Sequence, residues 1–140
     1  MDEKTIRIIA TMTPMVINFI LLNFRKKKWI RNKYKWYLFV TFATVSFYMF
    51  FVDYEISSTD EKLLEWAWMT PLVFSLVDFI FTRLSFSIHN RDFYLWLRGS
   101  SEIDDKKLSG GPHVRASDRF FSMFLFFFSF CLPFLILFFI

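Results

Sequence analysis

Asp78, a carboxylate within a long apolar run, is the residue of this 140-residue chain best suited to chemistry. Ser75 and Thr82 share a helical face with it, because residues three and four positions apart lie one above the other on a helix. An ionised carboxylate is costly in an apolar medium, so Asp78 must be protonated or hydrogen-bonded there. Two roles follow: an ion or proton site, or a structural hydrogen-bond node. A ring of Asp78 in a symmetric oligomer would favour a cation path.

Two polar residues in other apolar runs lie at a similar predicted depth. With a rise of 1.5 Å per residue, Asn18 and Asp78 lie about 9 Å from the ends of their runs, and Thr41 about 7.5 Å. Polar side chains of membrane helices usually face the bundle interior. We therefore expect one intramembrane polar cluster, formed by Asn18, Thr41, Ser75, Asp78 and Thr82.

The remaining candidates for catalysis or metal binding are weak. His89 and His113 are 24 residues apart with no cysteine nearby, which is not the spacing of a zinc site. Cys131 lies among apolar residues, where a thiol is usually inert. The glycines that follow Ser109 lack the lysine and spacing of a phosphate-binding loop. The sequence predicts a protein that is not an enzyme, with no catalytic residues, metal or cofactor.

The composition indicates which solvent surrounds these residues. Hydrophobic residues make up 55% of the chain, aromatic residues 23%, and 22 residues are phenylalanine. A soluble domain of this size could not bury so much apolar surface, and a disordered chain would not carry it. A single cysteine excludes a disulfide framework. The lipid bilayer is therefore the expected solvent and partner.

Four apolar runs are close to the 20 residues that cross a bilayer core of about 30 Å. They cover residues 5–24, 36–52, 63–84 and 120–140. The predicted fold class is all-α: one polytopic membrane domain over residues 1–140, with four transmembrane helices in a small bundle. Gly and Ala are scarce in these runs, so helices packed through Phe and Leu should be loose. We expect homo-oligomerisation to complete the packing.

The basic residues predict the orientation. Fourteen of the 17 Lys and Arg residues fall within the segments 25–35 and 83–119, whereas the segment 53–62 carries four acids and one lysine. By the positive-inside rule, loops 25–35 and 85–119 are cytosolic, loop 53–62 is outside, and both termini are outside. We expect a multi-pass protein of a plasma membrane, in particular of a bacterial inner membrane. Basic residues that flank apolar runs do not indicate nucleic-acid binding.

The first basic loop has two interpretations. It either anchors the topology alone, or it also contacts anionic lipid headgroups, which basic residues near a membrane surface attract. The residues expected to make such contacts are Arg25, Lys26, Lys27, Lys28 and Arg31.

The longest loop contains a predicted short amphipathic helix over Asn90–Leu97. Its helical spacing places Phe93, Trp96 and Leu97 on one face. These side chains need cover, because exposed apolar surface is unfavourable in water. The cover is either the membrane surface, with neighbouring helix ends, or a cytosolic protein partner that docks on this face.

Three functions from different classes are compatible with this architecture. The first, which the long loop favours, is a non-enzymatic sensor or anchor subunit that recruits or regulates a cytosolic partner through loop 85–118. The second is an immunity protein that blocks a membrane-inserting toxin through its Phe-rich faces. The third is a small oligomeric ion channel or transporter that uses Asp78. In size and predicted span number the chain resembles bacteriocin immunity proteins and the small membrane subunits of bacterial phage-defence operons, which implies a role in immunity, antiviral defence or stress.

Cysteine labelling tests the predicted topology. A cysteine introduced at Ser109 should be shielded from an impermeant thiol reagent in intact cells, whereas one at Ser58 should react, because only the latter faces outward. The unmodified chain gives the background from Cys131. Labelling at Ser109 with protection at Ser58 would invert the predicted orientation.

Overall fold

The protein is a bundle of helices. The computed structural model describes residues 2–28, 30, 33–52, 58–97, 100, 102–104, 106 and 109–139. These residues form four α-helices and a 3-10 helix that continues the fourth: α1 (Glu3–Asn23), α2 (Tyr34–Val52), α3 (Thr59–His89), α4 (Ala116–Cys131) and the terminal 3-10 helix (Leu132–Phe138). No strand occurs in the described residues, so the all-α class is confirmed for them.

Three helical stretches are long and apolar enough to cross a membrane: Thr5–Asn23, Thr59–His89, and α4 with its 3-10 extension, Ala116–Phe138. They indicate a membrane protein. At 1.5 Å per residue the 31 residues of α3 measure about 46 Å, so this helix is longer than the hydrocarbon core is thick. Its surplus length allows one end to leave the bilayer and position the segment that follows.

α3 is the central helix of the bundle. It packs against α1, α2, α4 and the terminal 3-10 helix, whereas α2 contacts only α3 among the described elements. The core lies where the ends of α1 and α4 meet α3, and its most buried side chains include Leu22, Phe74 and Leu125. Among the described side chains of α2, Phe39 alone belongs to this core. Most of the surface of α2 is therefore left for lipid or another chain.

Local hydrogen bonds determine where α3 begins and where it ends. Ser58 and Glu61 form a reciprocal capping box, in which each side chain accepts from the other residue's backbone N–H. At the other end Asn90 adopts a left-handed conformation, with φ of 54°, and its N–H donates to the carbonyl of Phe86. Asn is one of the few residues that tolerate this conformation, which stops a helix.

The predicted short helix over Asn90–Leu97 does not form. Residues 91–97 leave α3 as non-helical backbone. Their N–H groups donate to side chains instead of to carbonyls one turn back: Tyr94 N to Asp118 Oδ1 (3.2 Å), Leu95 N to Glu102 Oε2 (2.8 Å) and Trp96 N to Ser122 Oγ (2.8 Å). Side-chain acceptors on Asp118, Ser122 and Glu102 replaced the backbone hydrogen bonds that a helix would need.

The junction between α4 and the terminal 3-10 helix is fastened to α3. Pro133, near the start of the 3-10 helix, has no N–H to donate. The indole Nε1 of Trp66 donates to the carbonyl oxygen of Leu132 at 2.8 Å. This hydrogen bond connects the C-terminal end of the chain to the central helix.

Replacement of Trp66 measures that connection. Trp66→Phe keeps an aromatic ring but removes the N–H donor, so the free energy of unfolding should fall by about 1 kcal/mol. Thermal unfolding of the purified protein in a mild detergent is the measurement. Trp68→Phe is the matched control, because the Trp68 ring is placed by its contact with Phe42, 5.5 Å between centroids. Equal stability of the two variants would contradict a structural role for the Trp66 hydrogen bond.

Candidate functional site

A buried guanidinium lies at the centre of the site. Arg25 follows the end of α1, and only 6% of the residue is exposed. Its Nε donates to Asp78 Oδ1 at 2.9 Å, and its Nη2 donates to Thr82 Oγ1 at 2.8 Å and to Asp92 Oδ1 at 3.0 Å. α3 supplies Asp78 and Thr82, and the segment after α3 supplies Asp92. One side chain therefore joins three parts of the chain.

The backbone and ring of Phe93 complete the environment of Arg25. Arg25 Nη1 donates to the Phe93 carbonyl at 3.3 Å, and the guanidinium lies 3.7 Å from the centroid of the Phe93 ring. The Phe93 ring also contacts Phe121 of α4 edge-on, with centroids 5.5 Å apart. Cation–π contacts are strongest where water is excluded, as it is here. We call Arg25, Asp78, Thr82, Asp92 and Phe93 the Arg25 cluster.

Two opposing effects set the charge of Arg25. Burial lowers the pKa of its guanidinium, but the carboxylates of Asp78 and Asp92 raise it by more, so the pKa lies above its ordinary value. Arg25 therefore stays protonated, and it neutralises one of the two carboxylate charges. Breaking such a pair would leave a buried charge uncompensated, which is strongly destabilising. The geometry is suited to holding helices together.

A second ion pair connects the segment that follows α3 to helix α4. We call residues 90–115 the α3–α4 loop. Arg91 donates to both oxygens of Asp118, from Nη1 at 3.2 Å and from Nη2 at 2.8 Å. Asp118 is fully buried and also accepts from the backbone N–H of Arg115 at 2.7 Å. A two-pronged pair of this kind fixes orientation as well as distance.

A third ion pair reaches the loop from the α1 side. Lys26 Nζ lies 2.6 Å from Glu102 Oε2, which also accepts from the Leu95 N–H. The ring of Tyr94 lies between two cations, 5.0 Å from Lys26 Nζ and 4.3 Å from the Arg91 guanidinium carbon. The described part of the loop is thus attached at Arg25, Lys26 and Asp118.

A glycine turn closes the loop against the same surface. Gly110 is buried and has φ of +79°, and Asp104 N donates to its carbonyl at 3.0 Å. A Cβ at Gly110 would lie 2.8 Å from Trp96 Cδ1. Both the backbone conformation and the space therefore require glycine at this position.

The structure divides the residues of the predicted polar cluster among different contacts. Asp78 and Thr82 come together at Arg25. Asn18 is buried elsewhere, and its Nδ2 donates to Thr70 Oγ1 at 3.2 Å. Thr41 is exposed on α2 and donates to the carbonyl of Tyr37 at 2.9 Å.

Ser75, the fifth member of the predicted polar cluster, is 3% exposed. Its hydroxyl has no hydrogen-bond partner among the described residues.

The three residues of the expected docking face do not share an exposed surface. Phe93 is fully buried, Leu97 packs at the edge of the core, and Trp96 is partly buried beside Gly110. Side chains alternate in direction along an extended segment, which directs Phe93 and Leu95 inward together. The Phe93 side chain is therefore buried by other residues of this protein, and not by a membrane or a partner.

Of the residues expected to contact anionic lipid, Arg25 is buried in ion pairs within the protein, and Lys26 pairs with Glu102 while its side chain stays 33% exposed. Lys27 and Lys28 are exposed, and Arg31 lies outside the described residues.

Sequence reasoning missed Asp92, Glu102 and Asp118 as ion-pair partners of basic residues. The available signal was charge: acids within the basic segment 83–119, and one carboxylate deep in an apolar run, each needing a cation.

Comparison with known proteins found no relative of this chain. The chain matches no protein-family model, and no curated protein or solved structure matches it significantly. Within the described part of the chain, no group of three or more His, Cys, Asp or Glu side chains could hold a metal ion. The function must therefore be argued from the Arg25 cluster and the loop that it holds.

Neutral substitution at Arg25 tests the cluster. Arg25→Gln should lower the free energy of unfolding by about 3–5 kcal/mol, because it leaves Asp78 and Asp92 without their cation. Asp78→Asn should cost less, since Asp92 still pairs with Arg25. Thermal unfolding in detergent measures both effects.

Lys27→Gln provides the matched control. It removes the same charge from an exposed neighbour and should change stability by less than about 0.5 kcal/mol. If Arg25→Gln and Lys27→Gln were equally stable, the cluster would not hold the helices together.

Proposed function

We propose that the protein is a non-enzymatic anchor or sensor subunit of a plasma membrane, with four spans, outward termini and a cytosolic α3–α4 loop that holds a soluble partner. One observation carries this proposal: three ion pairs fix the loop to the rest of the bundle. They are Arg25–Asp92, Lys26–Glu102 and Arg91–Asp118. A segment that served only to connect two spans would not need them.

α2 is the proposed additional span. Its 19 residues measure about 28 Å, close to the thickness of the hydrocarbon core. Its exposed large side chains are mostly apolar or aromatic, and they include Leu38, Val40, Phe42, Val45 and Phe47. Such a surface is suited to lipid or to a second copy of the chain. The excess of basic residues in segments 25–35 and 83–119, both on the same predicted side of the membrane, supports a cytosolic loop.

The held loop favours partner binding. A surface that is already ordered loses less conformational entropy on association than a flexible one. Its outer side is polar, with Lys106, Ser109, His113 and Arg115 exposed. A soluble partner is the natural occupant of such a surface, and phage defence or a stress response is a compatible setting. In this proposal the partner therefore binds the outer side of the loop, and not the face of Phe93, Trp96 and Leu97 that the sequence predicted.

The charge balance of the site disfavours the channel alternative. Asp78 accepts from Arg25 at 2.9 Å, so a passing cation would compete with a fixed guanidinium. The immunity alternative keeps one specific observation in its favour. Exposed phenylalanines such as Phe47 on α2 and Phe127 on α4, 56% and 57% exposed, could contact a toxin helix within the membrane.

Site-specific photocrosslinking distinguishes anchor from immunity protein. A photoreactive amino acid at Lys106 should give one discrete adduct with a soluble protein in native membranes, because this position is exposed on the loop. The same group at Val45 on α2, 57% exposed, should crosslink lipid or a second copy of the chain. Adducts are detected by a mass shift on denaturing gels and identified by mass spectrometry.

A foreign membrane peptide captured at Val45, with nothing at Lys106, would favour immunity. The absence of any soluble adduct at both Lys106 and Ser109 would contradict the anchor function.

A further inference from the structure

A cavity of about 460 Å³ opens beside the Arg25 cluster. It lies between the first turn of α2, the second half of α3 and the α3–α4 loop. Beyond members of the cluster, its walls are Lys35, Trp36, Ser75, Phe79, Arg83 and Phe86. Charged groups and aromatic rings thus line the same space, which is typical of a site for an amphipathic ligand.

The charges of the wall favour an anion. Arg25, Lys35 and Arg83 are three cations, and Asp78 and Asp92 are two carboxylates, so the wall carries one net positive charge. Both carboxylates already accept hydrogen bonds from Arg25. Lys35 and Arg83 add two further cations to the wall, and guanidinium and ammonium groups are the usual binders of phosphate.

Ser75 is an independent sign of a ligand. Its residue is 3% exposed, its hydroxyl oxygen has no partner among the described residues, and it lines this cavity. A buried hydroxyl without a partner is unfavourable, and rotation of the Ser75 side chain towards the cavity would let it donate to a phosphate or ester oxygen there.

The position of the cavity suits a lipid. Trp36 lies in the first turn of α2, and its ring contacts Phe79 edge-on, 6.5 Å between centroids. Tryptophan near a helix end is characteristic of the membrane interface. Phe79 and Phe86 are 47% and 46% exposed, so the apolar side of the cavity continues onto the outer surface of α3.

We propose that this cavity binds the headgroup of an anionic phospholipid. Lys35 and Arg83 hold its phosphate, Ser75 donates to one of its oxygens, and an acyl chain lies along Phe79 and Phe86. Lipid access requires the membrane insertion proposed above, but no cytosolic partner. The basic residues Lys27 and Lys28, although exposed on the neighbouring loop, take no part in this site.

Lipid titration of the purified full-length protein in a neutral detergent tests the site. Phosphatidylglycerol should raise the unfolding temperature, with tighter binding than phosphatidylcholine by roughly tenfold or more. The double variant Lys35→Gln with Arg83→Gln should lose that preference. Lys27→Gln with Lys28→Gln removes the same charge outside the cavity and should keep it. Lys35→Arg with Arg83→Lys, which preserves charge, should also keep it.

Three results would overturn the lipid site. The first is equal binding of phosphatidylglycerol and phosphatidylcholine by the unmodified protein. The second is equal loss of preference in both glutamine double variants, which would indicate general surface attraction. The third is stabilisation by millimolar glycerol phosphate alone that matches the lipid effect, since the ligand would then be a soluble phosphate. Sedimentation with the membrane fraction, measured separately, reports on membrane insertion alone.

Discussion

The free-energy cost of burying the Arg25 guanidinium constrains the rest of the structure. A buried cation persists only where carboxylates and hydrogen-bond acceptors compensate for its lost hydration. Asp78 and Thr82 supply that compensation from α3, and Asp92 and Phe93 supply it from the α3–α4 loop. α1 therefore cannot separate from α3, nor the loop from either helix, without exposing an unpaired charge to an apolar environment.

The remaining polar contacts extend this arrangement across the same end of the bundle. Asp118 receives Arg91 and two backbone N–H groups, and Ser122 receives the N–H of Trp96. Because these acceptors lie on α4, the loop is held on its second side as well. The opposite surfaces of the helices carry mainly exposed apolar side chains. The buried polar contacts at this end of the bundle are thus distinct from the exposed apolar surface of the helices.

This separation connects the two proposed binding functions. The outer side of the loop is polar and held in place, as a soluble partner requires. The cavity beside Arg25 lies where the polar end meets the apolar surface, as a phospholipid headgroup requires. The cavity shares Arg25, Asp78, Thr82 and Asp92 with the Arg25 cluster. The proposed lipid would lie beside Arg25 and Asp92, which position the start of the loop, so lipid binding there would be coupled to loop stability.

The sequence by itself determined the helices and the all-α class. Apolar runs of about 20 residues specify helices locally, since backbone groups must be satisfied within the segment when water is absent. The same reasoning predicted that Asp78 needs a partner. It could not identify Arg25, which is 53 residues away, and it assigned that residue to lipid. Helical spacing also placed Phe93 on an exposed face, but the tertiary structure buried it. Acceptors on Asp118 and Ser122, more than 20 residues distant, replaced the hydrogen bonds that a local helix would have made. Contacts between distant residues depend on how the helices pack, and only the tertiary structure decides that.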